Sequence, residues 1–396
     1  MKDKELSITK DKENLRTVTA CVDSRYIWTS DEALGGLCTI DKITFEVKSI
    51  LNTFQMNRYG NFHPKTIFEW KENIVIVPYE LDRKWIVYNR VTGKIQYKNV
   101  VNSKWKTTGM HVVGENAYLA PNSVQDPIII LDLNSLTCVH IIEDWGKKLP
   151  ANVDQYAVWE SVAMNTGIFF PLYGTKYWIK VNQNKTKVYP LDIPYSIRNM
   201  DIYEDKIWIL PTEGNFLYVA DMEGTVFETI HLSINNSPIS TADFVKIVAT
   251  ARYIFLLPFS DKGIFVYDKS EKRIIIITTN VIKSMFPLQG FTVPYWEYFI
   301  EDGNICFMPW ENRFLTINLD NLECSQRDIF LPEMISGIHL NKWLRWNRFY
   351  NEIFINQETD ADDMLGLYLE FVKKSYNVYE QKDRNCGKMI WDKMSR

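Results

Sequence analysis

Two glutamates stand in the same local setting, Glu160 in "VWES" (Val158–Ser161) and Glu297 in "YWEY" (Tyr295–Tyr298), each directly behind a tryptophan. Asn199 and Lys246 lie at the same distance as these glutamates from the apolar runs that follow them. Paired carboxylates do general acid–base work when their surroundings push their pKa values apart, and a neighbouring cation steadies the charge that develops. The same residue types serve equally as a solvated polar rim, or as buried acceptors for backbone hydrogen bonds. Aromatic and hydrogen-bonding side chains cluster nearby in sequence. Arg58, Tyr59 and His63 precede one apolar run, and Trp105 precedes the next. Tyr156 and Trp159 lead to Glu160, Tyr195 and Arg198 to Asn199, and Tyr295 and Trp296 to Glu297. Aromatic faces beside amides and guanidinium groups suit the faces and hydroxyls of a sugar, or an extended peptide.

Other chemistries find less support. The histidines (His63, His111, His140, His231, His339) show no ligand spacing and the six cysteines no CxxC pair, so no metal site is expected. No Walker A, GxGxxG or GxSxG occurs, and no cofactor is expected. A net charge of −4 leaves no electrostatic footprint for nucleic acid. The segment "KWLRWNRFY" (Lys342–Tyr350) could stack bases or sugars, but it reads better as an amphipathic closing segment. No apolar run approaches the roughly 20 residues of a membrane span. The charged start "MKDKELSITK" lacks an apolar signal core. With scattered cysteines expected to be reduced, these features point to a cytoplasmic protein.

What positions the candidate residues is a repeat. The run "IVIVP" ending at Pro78 is followed by "WIVYN" ending at Asn89. The same pair returns at Pro121 and Asp132, Pro171 and Asn182, Pro211 and Asp221, Pro258 and Asp268, and Pro309 and Asn318. A first, degenerate copy has Ser30 in the proline's place and ends at Asp41. The markers lie nine to eleven residues apart and the copies recur every 39 to 51 residues. Alternating, β-branched and aromatic runs broken by turn residues describe a four-stranded meander. Proline ends a strand where its missing N–H costs no ladder bond, and Asp or Asn closes the next into a turn. One such sheet cannot cover both its faces, so seven copies predict an all-β, seven-bladed β-propeller.

The repeat resembles the PQQ-like and YVTN-like propeller blades, with their "IYV … IYVYDxxTGK" pattern, from Leu15 to about Leu331. That resemblance implies an architecture shared by dehydrogenases, lyases, hydrolases and plain binding scaffolds, and transfers no active site. The aromatic docking motifs and calcium loop of quinoproteins are not recognisable.

The blades are expected near residues 15–51, 66–101, 109–142, 158–193, 198–234, 244–281 and 296–331, with 332–357 as a closing segment of a domain spanning 1–357. Ring closure falls either to Leu6–Ile8 or to Asn351–Gln357. The tail, 358–396, carries helical spacing from about Asp360 to Tyr376 and from about Asn385 to Met394. It either packs on the propeller or docks a partner protein.

Counting back eight residues from each second strand gives Thr19, Thr66, Gly109, Glu160, Asn199, Lys246 and Glu297, a predicted polar ring. Two functions follow from it. One is a non-catalytic recognition or scaffold protein binding a glycan or peptide on aromatic walls, with a protein partner on the tail. The other is a lyase, hydrolase or isomerase acting on a glycan or small molecule, with Glu160 and Glu297 as acid and base and Lys246, Arg198 or His63 as charge stabiliser.

Overall fold

The computed structural model describes residues 17–31, 36–51, 64–150, 158, 160–259, 263–277, 297–308 and 313–329. All of them lie in one compact unit, Glu13–Ile335. The second unit, Met1–Lys12 with Ser336–Arg396, falls outside the described residues, and with it both ring-closing candidates, "KWLRWNRFY" and the tail helices.

Seven four-stranded antiparallel sheets form a β-propeller, each blade a simple meander from its own stretch of chain. The blades run over Thr17–Leu51, Pro64–Lys98, Thr107–Ile142, Val162–Pro190, Ile197–His231, Phe244–Ile277 and Glu297–Asp328. A two-stranded hairpin, Ser233–Ile234 with Ser237–Pro238, follows the fifth blade. Among the described residues, the inner strands of blades one and seven abut, Lys42 pairs with Glu301, and Phe45 meets Phe314 edge-on at 5.5 Å. Among the described residues no helix is long and apolar enough to cross a membrane.

The second strand of blade two shows why blades need neighbours. Its residues Ile74 to Val77 are all buried, and successive side chains of a strand point to opposite faces. Val75 and Val77 pack with Ala117, Leu119, Ile129 and Leu131 of blade three. Ile74 and Ile76 pack with Trp28 and Leu37 of blade one. A continuous apolar run is thus the mark of a sheet covered on both sides. The outer strand of blade three, Thr137–Ile142, has one covered edge and is largely exposed.

The marker residues do what their chemistry suggests. Pro78, Pro121, Pro211 and Pro258 are each the sixth and last residue of a second strand. Pro171 ends a strand one residue shorter, and Pro309 lies outside the described residues. In the first blade the register corrects the alignment. Asp31 pairs with Thr17 as Pro78 pairs with Pro64, so Asp31 and not Ser30 stands in the proline's place. The third-strand markers accept backbone N–H groups two or three residues on, as at Asp41, Asn89, Asp268 and Asn318.

Candidate functional site

The inner strands begin with a shared irregularity. A bulge separates Thr17 from Thr19, Pro64 from Thr66, Ile197 from Asn199 and Phe244 from Lys246. Just past this point the register pairs Thr19 with Ser30, Thr66 with Val77 and Gly109 with Ala120. It pairs Asn199 with Leu210, Lys246 with Leu257 and Glu297 with Met308. All six therefore occupy the same rung, and Glu160 lies two residues before Val162, the first paired residue of its blade.

This rung surrounds a cavity of about 330 Å³ lined from all seven blades. Thr19, Thr66, Gly109, Glu160, Lys246 and Glu297 all line it. Two ring residues also have a structural task, because the exposed edge of an inner strand carries N–H groups that need acceptors. Thr19 Oγ1 accepts the Ile67 N–H of the next blade at 3.1 Å, and Asn199 Oδ1 accepts the Ile247 N–H of the next at 3.0 Å. Asp201, two residues on, accepts the Ala249 N–H at 2.7 Å.

The charged side of the ring is a network. Lys246 Nζ lies 2.9 Å from Glu160 Oε1 and 5.0 Å from the centre of the Tyr298 ring. The Asn199 amide donates to Glu160 Oε2 at 2.9 Å. Burial opposes the charge on Lys246, but Glu160 and Glu297 outweigh it and hold its pKa above the ordinary lysine value. Burial pushes Glu297 up to about 7, with Glu160 adding to the rise and Lys246 and Lys65 resisting it. Burial likewise pushes Asp201 up to about 6.

Two features escape a count of ring positions. Lys65, the bulged residue of blade two, lines the same cavity, where burial holds its pKa below the usual lysine value against the attraction of Glu160 and Glu297. Its signal was its place directly before Thr66, matching Trp159 before Glu160 and Trp296 before Glu297. Among the described residues, neither the Lys65 ammonium nor the Glu297 carboxyl has a hydrogen-bond or ion-pair partner. The second feature is His111, whose Nε2 lies 2.8 Å from Ser161 Oγ, with both residues on the cavity wall. Burial keeps this imidazole neutral, with a pKa near 4. Ser161 is its one hydrogen-bond partner among the described residues, so it lacks the carboxylate that orients a catalytic serine–histidine pair.

Four predicted ligand-binding residues, Trp105, Tyr195, Arg198 and Asn199, do not line the cavity. Trp105 packs its ring against the core between blades two and three. Tyr195 covers Gly214, whose φ of +102° only glycine adopts freely. Arg198 donates to the Thr212 carbonyl at 2.9 Å and lies 5.0 Å over the Phe259 ring. Arg58, Tyr59, His63, Tyr156, Trp159, Tyr295 and Trp296 lie outside the described residues. Among the described residues no group of three or more His, Cys, Asp or Glu could hold a metal ion.

No family model matches the chain. No curated protein matches its sequence. Likeness to solved structures is confined to the fold. YCF48 bound to D1 peptide is similar with a TM-score of 0.56 at 10% identity, over 78% of this chain and 94% of that one. The computationally designed Ika8 protein is similar with a TM-score of 0.52 at 8% identity, over 80% and 88%. The extracellular domain of the putative one component system BT4673 from B. thetaiotaomicron gives a TM-score of 0.53 at 13% identity, over 76% of this chain but 38% of that chain.

Proposed function

We propose that this chain is a non-catalytic recognition protein whose ligand, a peptide or a glycan, seats at the channel cavity. One observation carries the reading. Glu160 is engaged by Lys246 and Asn199, so the two glutamates are not a free acid–base pair, while Lys65 and Glu297 line the cavity without partners among the described residues. Fixed charges over an open cavity suit selective binding. The complex of YCF48 with D1 peptide, a fold of the same kind, supports peptide over glycan. We further infer blades of the PQQ-like or YVTN-like type, a cytoplasmic home for the reduced thiols, and a tail, 358–396, that recruits a protein partner.

The rival enzyme reading draws on Glu297. A carboxyl whose pKa lies near 7 is poised for proton transfer, and Lys246, which acts on it electrostatically, would stabilise charge on a glycan or small substrate. Arrays of peptides and glycans probed with the intact protein test the proposal. Capture of a defined peptide class, weakened by substitutions in the cavity, supports it. Absence of binding to either array, with partner capture that depends only on residues 358–396, would replace it with a plain scaffold.

A further inference from the structure

The cavity holds two opposite charges that have no hydrogen-bond or ion-pair partner among the described residues. Lys65 comes from blade two and Glu297 from blade seven, and each acts electrostatically on the other. Among the described residues of the lining, the other carboxylates and the histidine are engaged. Glu160 has Lys246 and Asn199, Asp201 has the Ala249 N–H, and His111 has Ser161. A buried charge without a partner is costly, and a ligand that supplies the missing partner recovers that cost.

The signs of the neighbours select the ligand. A simple anion at Lys65 would meet Glu160 and Glu297, and a simple cation at Glu297 would meet Lys246 and Lys65. Only a ligand carrying both signs, oriented across the cavity, meets an opposite charge at each end without importing net charge. We propose that the cavity binds a small zwitterion of the amino-acid class, its carboxylate on Lys65 and its ammonium on Glu297. A volume of about 330 Å³ lies at the small end of ligand pockets, which suits such a molecule. The lining also includes the neutral Thr66, Gly109 and Ser161 and the charged Glu160 and Lys246.

Proton linkage adds a signature. Glu297 must be ionised to hold an ammonium, so binding strengthens as pH rises through about 7. Lys246, Glu160 and Lys65 are the charged groups that act on Glu297. Asp201, which titrates near 6, lines the same cavity and could mimic the signature, so the variant must separate them.

This proposal rests on the channel cavity being a binding site, and the experiment separates the two claims. Isothermal titration of the full chain would use glycine, β-alanine, 4-aminobutyrate and glycylglycine as zwitterions. Propionate and propylamine serve as single-charge controls, and a glucose oligomer and an acetylated, amidated trialanine as neutral ones. The expected result is saturable binding of at least one zwitterion, at least tenfold tighter than either single-charge control, with affinity falling roughly tenfold from pH 8 to pH 6. Lys65→Gln and Glu297→Gln should each weaken that binding by about tenfold or more, and Glu297→Gln should also flatten the pH dependence. Thermal melting confirms that both variants fold. Binding of the blocked peptide or the sugar but no zwitterion would overturn this inference and leave the recognition reading standing. No binding of any probe would overturn both. A zwitterion affinity indifferent to both substitutions, or a pH step that survives Glu297→Gln, would also overturn the assignment to these two residues.

Discussion

The Lys246 ammonium lies 2.9 Å from Oε1 of Glu160, an ion pair that joins blade six to blade four and passes over the blade between them. Asn199 of that intervening blade closes the gap, donating to Glu160 while accepting from the backbone of blade six. Three blades are thereby pinned at one rung. The pair is mostly shielded from solvent, with side-chain exposures of 12% and 18%, so its loss matters more than that of a surface bridge.

Lys246→Met should therefore destabilise the protein by about 2–4 kcal/mol, because it strands a shielded carboxylate. Adding Glu160→Gln to it should restore part of that loss, with a coupling of about 1–3 kcal/mol in a double-mutant cycle read by urea unfolding. Additive effects would show that the ion pair is incidental.

Asn199→Ala and Thr19→Val remove acceptors from buried N–H groups, those of Ile247 and Ile67. Each should cost about 1–3 kcal/mol, and Asn199→Ala the more of the two because it also removes a donor to Glu160. Amide exchange at Ile247 and Ile67 should accelerate in the respective variants and not in the other. Equal protection of both amides in both variants would refute the capping role.

Glu297 makes a pH-dependent contribution of defined sign. Its folded pKa, about 7, lies above its ordinary value of 4.5, so the folded state holds the proton more tightly. The associated stability is fully present below about pH 4.5 and is lost as pH rises through about 7. Asp201 acts in the same direction between 3.8 and about 6, and His111 in the opposite direction between 6.5 and about 4. Comparing Glu297→Gln with the parent cancels both. The variant should match the parent near pH 4.5 and exceed it by on the order of 2 kcal/mol at pH 8. A difference independent of pH would contradict the assignment.

The blades were legible because burial on both faces demands uninterrupted β-branched runs, as in Ile74 to Val77, and because proline and Asx residues punctuate strands at fixed places. Ring positions could be counted from those same strands, since antiparallel register ties one strand to the next. Lys65 escapes such a count because a bulge lets one residue leave the alternation that the count assumes. The place of Trp105 and Tyr195 between strands suggests binding walls, but large apolar rings gain more from the interblade core and from the bare face of Gly214. In the first blade, which lacks the proline, only the strand pairing places Asp31 rather than Ser30 at the marker position.

The central claim is that the channel cavity binds without chemistry, and the most direct measurement follows the fate of a captured molecule. A peptide or glycan retained on the arrays is incubated with excess protein over hours and recovered for mass spectrometry. The account predicts an unchanged mass in every recovered species, together with weaker retention by Glu297→Gln. A mass change produced by the parent protein and slowed about 100-fold or more by Glu297→Gln, with retention intact, would contradict it and make the glutamate an acid–base catalyst.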